Sequence, residues 1–180
     1  MGNLYEYFAA GSDEDAAATI DVEGGPGGVE PVSPELRAAI RAGDRAAMDR
    51  LRRPRVRFSE HGLPVLAVKG VDPMVQMGTL EDLLTGVGID AIYARPRWAM
   101  DVAVRDQGER LVLSLTDELQ QALVECTSGR LSAVAVSWSQ TEEFWGQGDP
   151  DLIAGFLGEL SLLARHASDR GHRLYCWVCV

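Results

Sequence analysis

The sequence predicts a single α+β domain over residues 1–180, in which a mixed β-sheet packs against several helices and contains the C-terminal strand. Three observations predict this class. The chain has 180 residues and is 46% hydrophobic, which suffices for one core without disulfides or a metal. Apolar runs of strand length alternate with helical patterns. The last eight residues, RLYCWVCV, are apolar on both faces, as an interior strand requires.

Capping residues, glycine and proline define the N-terminal elements. Ser12 and Ser33 can accept hydrogen bonds from a first helical turn, and Pro34 has the fixed φ of a first helical residue. The segment EGGPGGVEPV contains four glycines and two prolines, which disfavour regular structure. The predicted elements are a strand over 3–10, a helix over 13–21, a loop over 23–32, and a helix over 33–51 with a break at Gly43.

The middle of the chain contains similar signals. LPVLAV is an apolar run of strand length, Thr79 and Thr116 are N-cap residues, and the segment DQGE is a turn between two β-prone segments. The predicted elements are a strand over 63–68, a helix that begins at Thr79, a hairpin of 98–104 with 110–115, and a helix over 116–125.

Residues 130–146 are ambiguous, because AVAVSW could also be a strand. Periodicity favours a helix, since the large apolar residues fall on one helical stripe: Leu131, Val134, Ala135, Trp138 and Trp145. Asp149 and Pro150 then form an N-cap and first-position pair. They predict a helix to about Ser168, which the terminal strand follows.

The sequence predicts a cytoplasmic, prokaryotic protein. The first fifteen residues lack Lys and Arg, and LYEYFAA is short and contains Glu6, so we expect no signal peptide. Gly, Pro or a charge interrupts every apolar run before the roughly 20 residues that a bilayer crossing requires. Three cysteines, an odd number, are typical of reduced thiols. We therefore expect no membrane association.

Charge is distributed in blocks. The formal charge is −10, with eight acidic and no basic residues in 1–35, eight arginines against two acids in 36–57, and a second acidic excess in 58–180. An arginine cluster can bind phosphate, but pairing with the acidic flanks is the alternative, and the net charge repels nucleic acid. We expect no nucleic-acid partner, and the pattern assigns no role to the Arg-rich segment 37–57.

The motifs predict neither a metal site nor a cofactor. Cys176 and Cys179 are three residues apart, and in a strand they point to opposite faces, so their sulfurs cannot converge. GGPGG is not a dinucleotide fingerprint, because Pro26 interrupts it and Glu30 replaces the third glycine. Hydrolase, P-loop and kinase motifs are absent. His61 is expected to be an accessible loop residue.

One candidate ligand site lies on the aromatic stripe. In a helix, Glu142 is four residues after Trp138 and three before Trp145, so its carboxylate lies beside both rings and could act as a proton donor. The alternatives are an arginine partner or a position in water. Lys69 and Asp72 could complete the pocket; the alternatives for Lys69 are an ammonium group that leaves the core at the strand end and a pair with Asp72.

Four segments carry a family resemblance: MGNLYEYFAA with DEDAA behind it, KGVDPMVQMGTLEDLL, WSQTEEFWG and RLYCWVCV. Through them the chain resembles a group of small acidic proteins from actinobacteria, loosely similar to the YfbM-like family. The resemblance spans most of the length. It implies a mixed α and β domain of a bacterial cytosol, and it brings no reaction or catalytic residue with it.

The function that the sequence favours is non-catalytic binding of a partner protein or a small ligand. Its acidity suits a basic partner surface, as in a toxin-neutralising or regulatory protein. The alternative is a small-molecule-binding protein or enzyme with a pocket around Trp138, Glu142 and Trp145. A ligand-sized pocket lined by both rings would favour this alternative, whereas Glu142 in water would favour partner binding.

Overall fold

A six-stranded antiparallel sheet forms the centre of the structure, a computed structural model that describes residues 4–28, 33–51, 54–59 and 62–180, without the side chain of Asp49. The strands are β1 (Leu4–Ala10), β2 (Val56–Phe58), β3 (Pro64–Lys69), β4 (Asp101–Arg105), β5 (Arg110–Ser114) and β6 (Arg173–Cys179). They lie in the order β2-β3-β1-β6-β5-β4. The C-terminal strand is therefore interior to the sheet, as predicted.

Eight α-helices occur within the described ranges: α1 (Asp13–Ala17), α2 (Pro34–Ala42), α3 (Arg45–Leu51), α4 (Met77–Thr85), α5 (Ile89–Tyr93), α6 (Asp117–Glu125), α7 (Ser128–Ser139) and α8 (Pro150–Ser168). Short 3₁₀ turns follow α1, β4 and α7. Together with the sheet, these helices confirm the α+β class. Within the same ranges, no helix has the combination of length and apolar character that a membrane crossing demands.

The expected mixture of parallel and antiparallel pairs is wrong, because all five described strand pairs are antiparallel. The apolar pattern of β6 reports that both of its faces are buried. Parallel and antiparallel interior strands bury their faces alike, so this pattern carries no information about strand direction.

The sheet separates two cores. Alternate residues of β1 face opposite sides, so Tyr5 and Tyr7 pack with α4, α6, α7 and α8 in the larger core, while Phe8 belongs to a smaller core beneath α1. The same alternation divides the two cysteines of β6. Cys176 lies in the larger core and Cys179 packs against the smaller one, so the thiols diverge as predicted. Burial also raises the pKa of Cys176.

The glycine-rich segment closes over a buried carboxylate. Glu6 of β1 is buried and accepts hydrogen bonds from Gly27 N (2.7 Å) and Arg57 Nη2 (3.0 Å). A Cβ atom at Gly27 would lie 2.6 Å from Glu6 Oε1, so a larger residue there would displace the paired side chains of Glu6 and Arg57. The predicted loop is confirmed as far as Gly28, and its residues 29–32 lie outside the described ranges, as do His61 and two arginines of the basic segment.

Most helix boundaries follow the predicted caps. The side chains of Ser12, Ser33, Thr116 and Asp149 each accept a backbone hydrogen bond from the first turn of the helix that follows. Gly43 has φ +66° and separates α2 from α3, as its permissive backbone allows. The fourth helix begins at Met77, two residues before the predicted cap. The three-residue edge strand β2 had no sequence signal.

Candidate functional site

The predicted aromatic stripe ends at Trp138, about two helical turns before Trp145. Helix α7 ends at Ser139, and Thr141, whose N and Oγ1 both donate to Trp138 O, is extended with φ −74° and ψ 161°. Trp138 is 0% exposed and packs against Phe144, with ring centroids 5.2 Å apart. Trp145 is 88% exposed. The helical interpretation is therefore confirmed for Trp138 and wrong for Trp145.

A dense set of backbone hydrogen bonds holds residues 139–148, which we name the Trp145 turn. Trp145 N donates to Glu142 O (2.8 Å), Gly146 N to Thr141 O (3.0 Å) and Gly148 N to Ser139 O (3.0 Å). Trp145 itself has φ +51°, a conformation that costs an L-residue roughly 1–2 kcal/mol. A backbone with this cost persists only where its surroundings determine it. The turn therefore presents the indole ring to solvent from a fixed position.

Glu143 anchors the turn to helix α4. Its carboxylate accepts a hydrogen bond from Thr79 Oγ1, and its backbone oxygen accepts one from Gln76 Nε2 at 3.3 Å. Burial acts to raise the pKa of Glu143, but hydrogen bonds from Thr79 and Thr141 outweigh it and hold the pKa below its usual value. In a continuing helix, Glu143 would point about 100° away from Glu142. In the turn it is Glu143 that points inward and Glu142 that is exposed.

The structure brings Asp72 close to this turn but assigns it a structural role. Asp72 N donates a hydrogen bond to Gln76 Oε1 (2.6 Å). Gln76 Nε2 donates hydrogen bonds to Gly70 O and Glu143 O. The Asp72 carboxylate accepts hydrogen bonds from Tyr5 Oη (2.8 Å) and Met74 N (2.8 Å), which stabilise the loop before α4. Lys69 ends β3 with its side chain exposed.

The predicted pocket is thus replaced by an outward-facing surface. One tryptophan is buried and the other is in water, so Trp138 and Trp145 do not line a common cavity. Met74 and Val75 are exposed on the loop before α4, which Gln76 joins to the Trp145 turn by its hydrogen bond to Glu143 O. Glu142 and Asp149 are exposed on either side of Trp145 in the sequence. We call these five residues the Trp145 surface: Met74, Val75, Glu142, Trp145 and Asp149.

A second polar cluster connects α1 to the sheet. Tyr175 Oη donates to Asp13 Oδ1 (2.7 Å), and Arg97 Nη1 donates to the same carboxylate at 3.1 Å while its guanidinium lies 5.6 Å from the Tyr175 ring centre. Burial, followed by the Asp13 charge, raises the pKa of Tyr175 to about 12, and the Tyr175 hydrogen bond lowers the pKa of Asp13. Asp13 thus bonds to both Tyr175 and Arg97 and ties α1 to the sheet, while Nε and Nη2 of Arg97 are buried without a hydrogen-bond partner among the described residues.

A third cluster is buried between α4, α5 and α6. Glu81 is fully buried and accepts hydrogen bonds from Arg95 and from Thr116 Oγ1, the N-cap of α6. Burial raises the pKa of Glu81 although both partners oppose it. Arg95 also lies 3.2 Å from Glu118. This network joins three helices. Neither Glu81 nor Arg95 was among the candidates selected from the sequence, because a charged residue in a helix gives no signal of its burial.

Neither of the two most prominent cavities in the described part of the chain includes the Trp145 surface. One, of about 480 Å³, lies between the ends of α4 and α6 and the start of α7. Its polar walls are already engaged, because Arg130 donates to Leu84 O and Glu118 pairs with Arg95. The other, of about 290 Å³, is a groove beside α8. No group of three metal-binding side chains occurs among the described residues.

Comparison of the chain with protein-family models, with curated proteins and with solved structures finds no match. The resemblance to YfbM-like proteins therefore stays a prediction. The geometry of the molecule is therefore the basis for a functional assignment. Its most unusual exposed feature is the Trp145 surface.

Proposed function

We propose that the protein is a non-catalytic binding domain that recognises a basic partner protein through the Trp145 surface, in a regulatory or toxin-neutralising role. One observation carries the proposal: Trp145 is 88% exposed on a turn whose backbone is fixed by hydrogen bonds. The predicted bacterial cytosol and the resemblance to YfbM-like proteins are compatible with this role and belong to the same proposal.

The exposed indole has the properties of an interface anchor. Tryptophan is enriched among the few residues that dominate binding energy, because it buries a large area against a partner. Only two side-chain torsions need to be ordered on binding, and the backbone is already in place, so the entropic cost is small. An exposed tryptophan that contacts no partner buries no such area, so it does not stabilise the folded chain.

Charge around the anchor favours a basic partner. Glu142 and Asp149 are exposed near Trp145, and the whole chain carries −10. Such a field accelerates encounter with a positively charged surface and disfavours acidic partners. An arginine or lysine of the partner can lie over the indole face and pair with a neighbouring carboxylate, which adds about 0.5–2 kcal/mol to binding.

The interior charges favour binding over catalysis. Glu6 pairs with Arg57, Glu81 with Arg95, and Asp13 with Arg97. A catalytic acid or base must exchange its proton with a substrate at a reachable site. The described charged groups of the interior instead bond to one another and tie separate elements together.

The proposal is tested by comparing partner capture between matched variants. Trp145→Ser removes the anchor, and Val180→Ser removes a side chain that is 70% exposed at the C-terminus and serves as the control. We expect a protein from the native host with an excess of Lys and Arg to bind the parent chain and Val180→Ser, and to lose at least tenfold in affinity for Trp145→Ser.

The purified partner then gives a quantitative test. Glu142→Lys should slow association, and Glu14→Lys, on the exposed start of α1, should do so less, since it places the same charge in a different region. Rising salt should slow association of the parent chain. Equal affinity for Trp145→Ser and Val180→Ser, or no basic partner at any salt concentration, would refute the proposal.

A further inference from the structure

Tyr93 and Trp98 form a second exposed aromatic group, which we call the Tyr93–Trp98 pair. Their rings are stacked, with centroids 4.8 Å apart and an interplanar angle of 29°. Tyr93 is the last residue of α5 and is 48% exposed, whereas Trp98 lies between α5 and β4 and is partly buried. Trp98 therefore covers one face of the Tyr93 ring, and the rest of that ring is open to another molecule.

The Tyr93–Trp98 pair lies directly on the first turn of helix α4. A Cβ atom at Gly78 would be 2.7 Å from Tyr93 Cε1 and 2.9 Å from Trp98 Cη2, so a larger residue there would displace both rings. Gly78 itself is buried within α4. The position of the Tyr93 ring is therefore determined by close packing on a helix backbone, as the position of Trp145 is determined by its turn.

Val75 links the Tyr93–Trp98 pair to the Trp145 turn. Gln76 N donates to Asp72 O at 3.0 Å, so a helical hydrogen bond precedes the start of α4. Gly78 supports the aromatic pair, and the next residue, Thr79, bonds to the Trp145 turn. Val75 is three residues before Gly78 and four before Thr79, which makes it a neighbour of both on the helix surface. Since Val75 is 48% exposed, an open apolar surface connects the two aromatic groups.

Acidic residues accompany both exposed rings. Residues 71–94 contain four acidic and no basic side chains, and residues 131–164 contain five acidic and no basic ones. An exposed carboxylate lies three residues before each ring: Asp90 before Tyr93 within α5, and Glu142 before Trp145. The two arginines between Tyr93 and Trp98 already pair with carboxylates of the chain. Both ends of this surface are therefore complementary to positive charge.

We propose that the Tyr93–Trp98 pair is a second subsite of the interface at the Trp145 surface, and that the basic partner binds through one segment with two arginines. The segment crosses Val75. One guanidinium lies over the indole of Trp145 and the other over the open face of Tyr93, each beside the carboxylate of its ring. Arginine suits both positions, because its planar guanidinium stacks on an aromatic face and bonds to a carboxylate. This inference rests on the proposed function and adds the form of the partner to it.

Short peptides that contain one or two arginines test the second subsite. The peptides are capped at both ends, and about two to eight glycine or serine residues form a flexible spacer between the arginines. Each peptide is titrated into the chain labelled with 5-fluorotryptophan and followed by fluorine NMR. We expect the two-arginine peptide of the best spacing to shift the resonances of Trp98 and Trp145, and to bind at least tenfold more tightly than the one-arginine peptide. Trp138 and Trp177 are buried, so their resonances are internal controls and should not shift.

Substitutions without a change of charge separate the effect of the ring from that of the acidic field. Tyr93→Ser should lower the affinity of the two-arginine peptide to that of the one-arginine peptide. Tyr93→Phe keeps the ring and should bind as the parent chain does. Val104→Ser, at a position that is 42% exposed on the edge strand β4, is the control and should also bind as the parent chain does.

The outcomes distinguish this inference from the proposed function. If Trp145→Ser loses the peptides while Tyr93→Ser binds them like the parent chain, or if the Trp98 resonance does not move, the second subsite is wrong and the Trp145 surface remains supported. Equal affinity of the parent chain, Tyr93→Ser and Trp145→Ser would mean that net charge alone attracts the peptides. That result, or a Trp145 resonance that responds to none of the peptides, would contradict both proposals.

Discussion

The Trp145 turn and the α2–α3 hairpin both expose apolar side chains, but the rest of the molecule supports only the turn. Trp145 lies seven residues after the fully buried Trp138, and Glu143 bonds to α4 between them. The hairpin is built of regular helices with good caps, yet only Ala39 is buried among its described side chains. Exposure on a fixed backbone suits recognition, whereas exposure on a poorly covered element indicates a need for a covering surface.

The largest predicted difference in the free energy of unfolding is between variants of Trp138 and Trp145. Trp138→Ala should lower the free energy of unfolding by about 3–5 kcal/mol, because it leaves a cavity between Phe144 and Phe156. Trp145→Ala should change it by less than about 0.5 kcal/mol, since the ring is in water. Urea unfolding of both variants measures the difference. Similar losses in the two variants would mean that Trp145 is packed.

A second comparison uses two matched N-caps. Thr116 and Ser33 each accept a hydrogen bond of 3.1 Å from the third residue of their helix, but Thr116 also donates to buried Glu81. Thr116→Ala should therefore cost about 2–3 kcal/mol of global stability. Ser33→Ala should leave global stability nearly unchanged and increase local opening of α2 about fivefold, equivalent to about 1 kcal/mol.

Urea unfolding and amide hydrogen exchange distinguish the two effects. Exchange should increase in α2 and α3 alone for Ser33→Ala. If Ser33→Ala lowered global stability as much as Thr116→Ala, the hairpin would unfold together with the rest of the domain.

A smaller loss of stability is expected when the hydrogen bond between Thr79 and Glu143, which anchors the Trp145 turn, is removed. Thr79→Val removes the donor to the Glu143 carboxylate and should cost about 1–2 kcal/mol, because the half-buried carboxylate loses a partner. It should also increase motion of Trp145. Fluorine NMR of chains that contain 5-fluorotryptophan measures this motion, with Trp145→Phe to assign the resonance. Ser132→Ala, on the exposed face of α7, is the control and should leave the Trp145 signal unchanged.

The last prediction concerns the dependence of stability on alkaline pH through the Tyr175 network. The pKa of Tyr175 is raised from 10.0 to about 12 in the folded chain. The protonated phenol is therefore favoured by folding, so its contribution to stability is complete below pH 10 and is lost as the pH rises to about 12. Tyr175→Phe should remove this loss. Urea unfolding across that range, with phenolate absorbance, checks it, and equal slopes for both proteins would contradict the assignment.

Local signals in the sequence predicted the regular elements well. Ser12, Thr116 and Asp149 each mark a helix start that the structure confirms, because a cap is a contact within four residues. The β4–β5 hairpin was predicted from its turn for the same reason. The edge strand β2 has three residues and forms by pairing with β3, which no periodicity of its own indicates.

The candidate site was predicted only in part. Trp145 was a candidate on the predicted helical stripe, but the structure places it in a turn, since helical periodicity does not report that α7 ends at Ser139 and that Thr141 is extended. Glu143 was missed because its partner, Thr79, is 64 residues away. The buried Glu81 and its partner Arg95 were missed because a charged residue in a helix gives no signal of its burial.

The sequence by itself determined the α+β class, the interior position of the last strand, the divergence of its two thiols and most helix starts. These features depend on side-chain alternation and on contacts between near neighbours, which the order of residues specifies directly. Only the tertiary structure decided the antiparallel strand directions, the exposure of Trp145 and the charge pairs of the interior. Each of these depends on contacts between distant segments, whose free energy arises when the chain is packed.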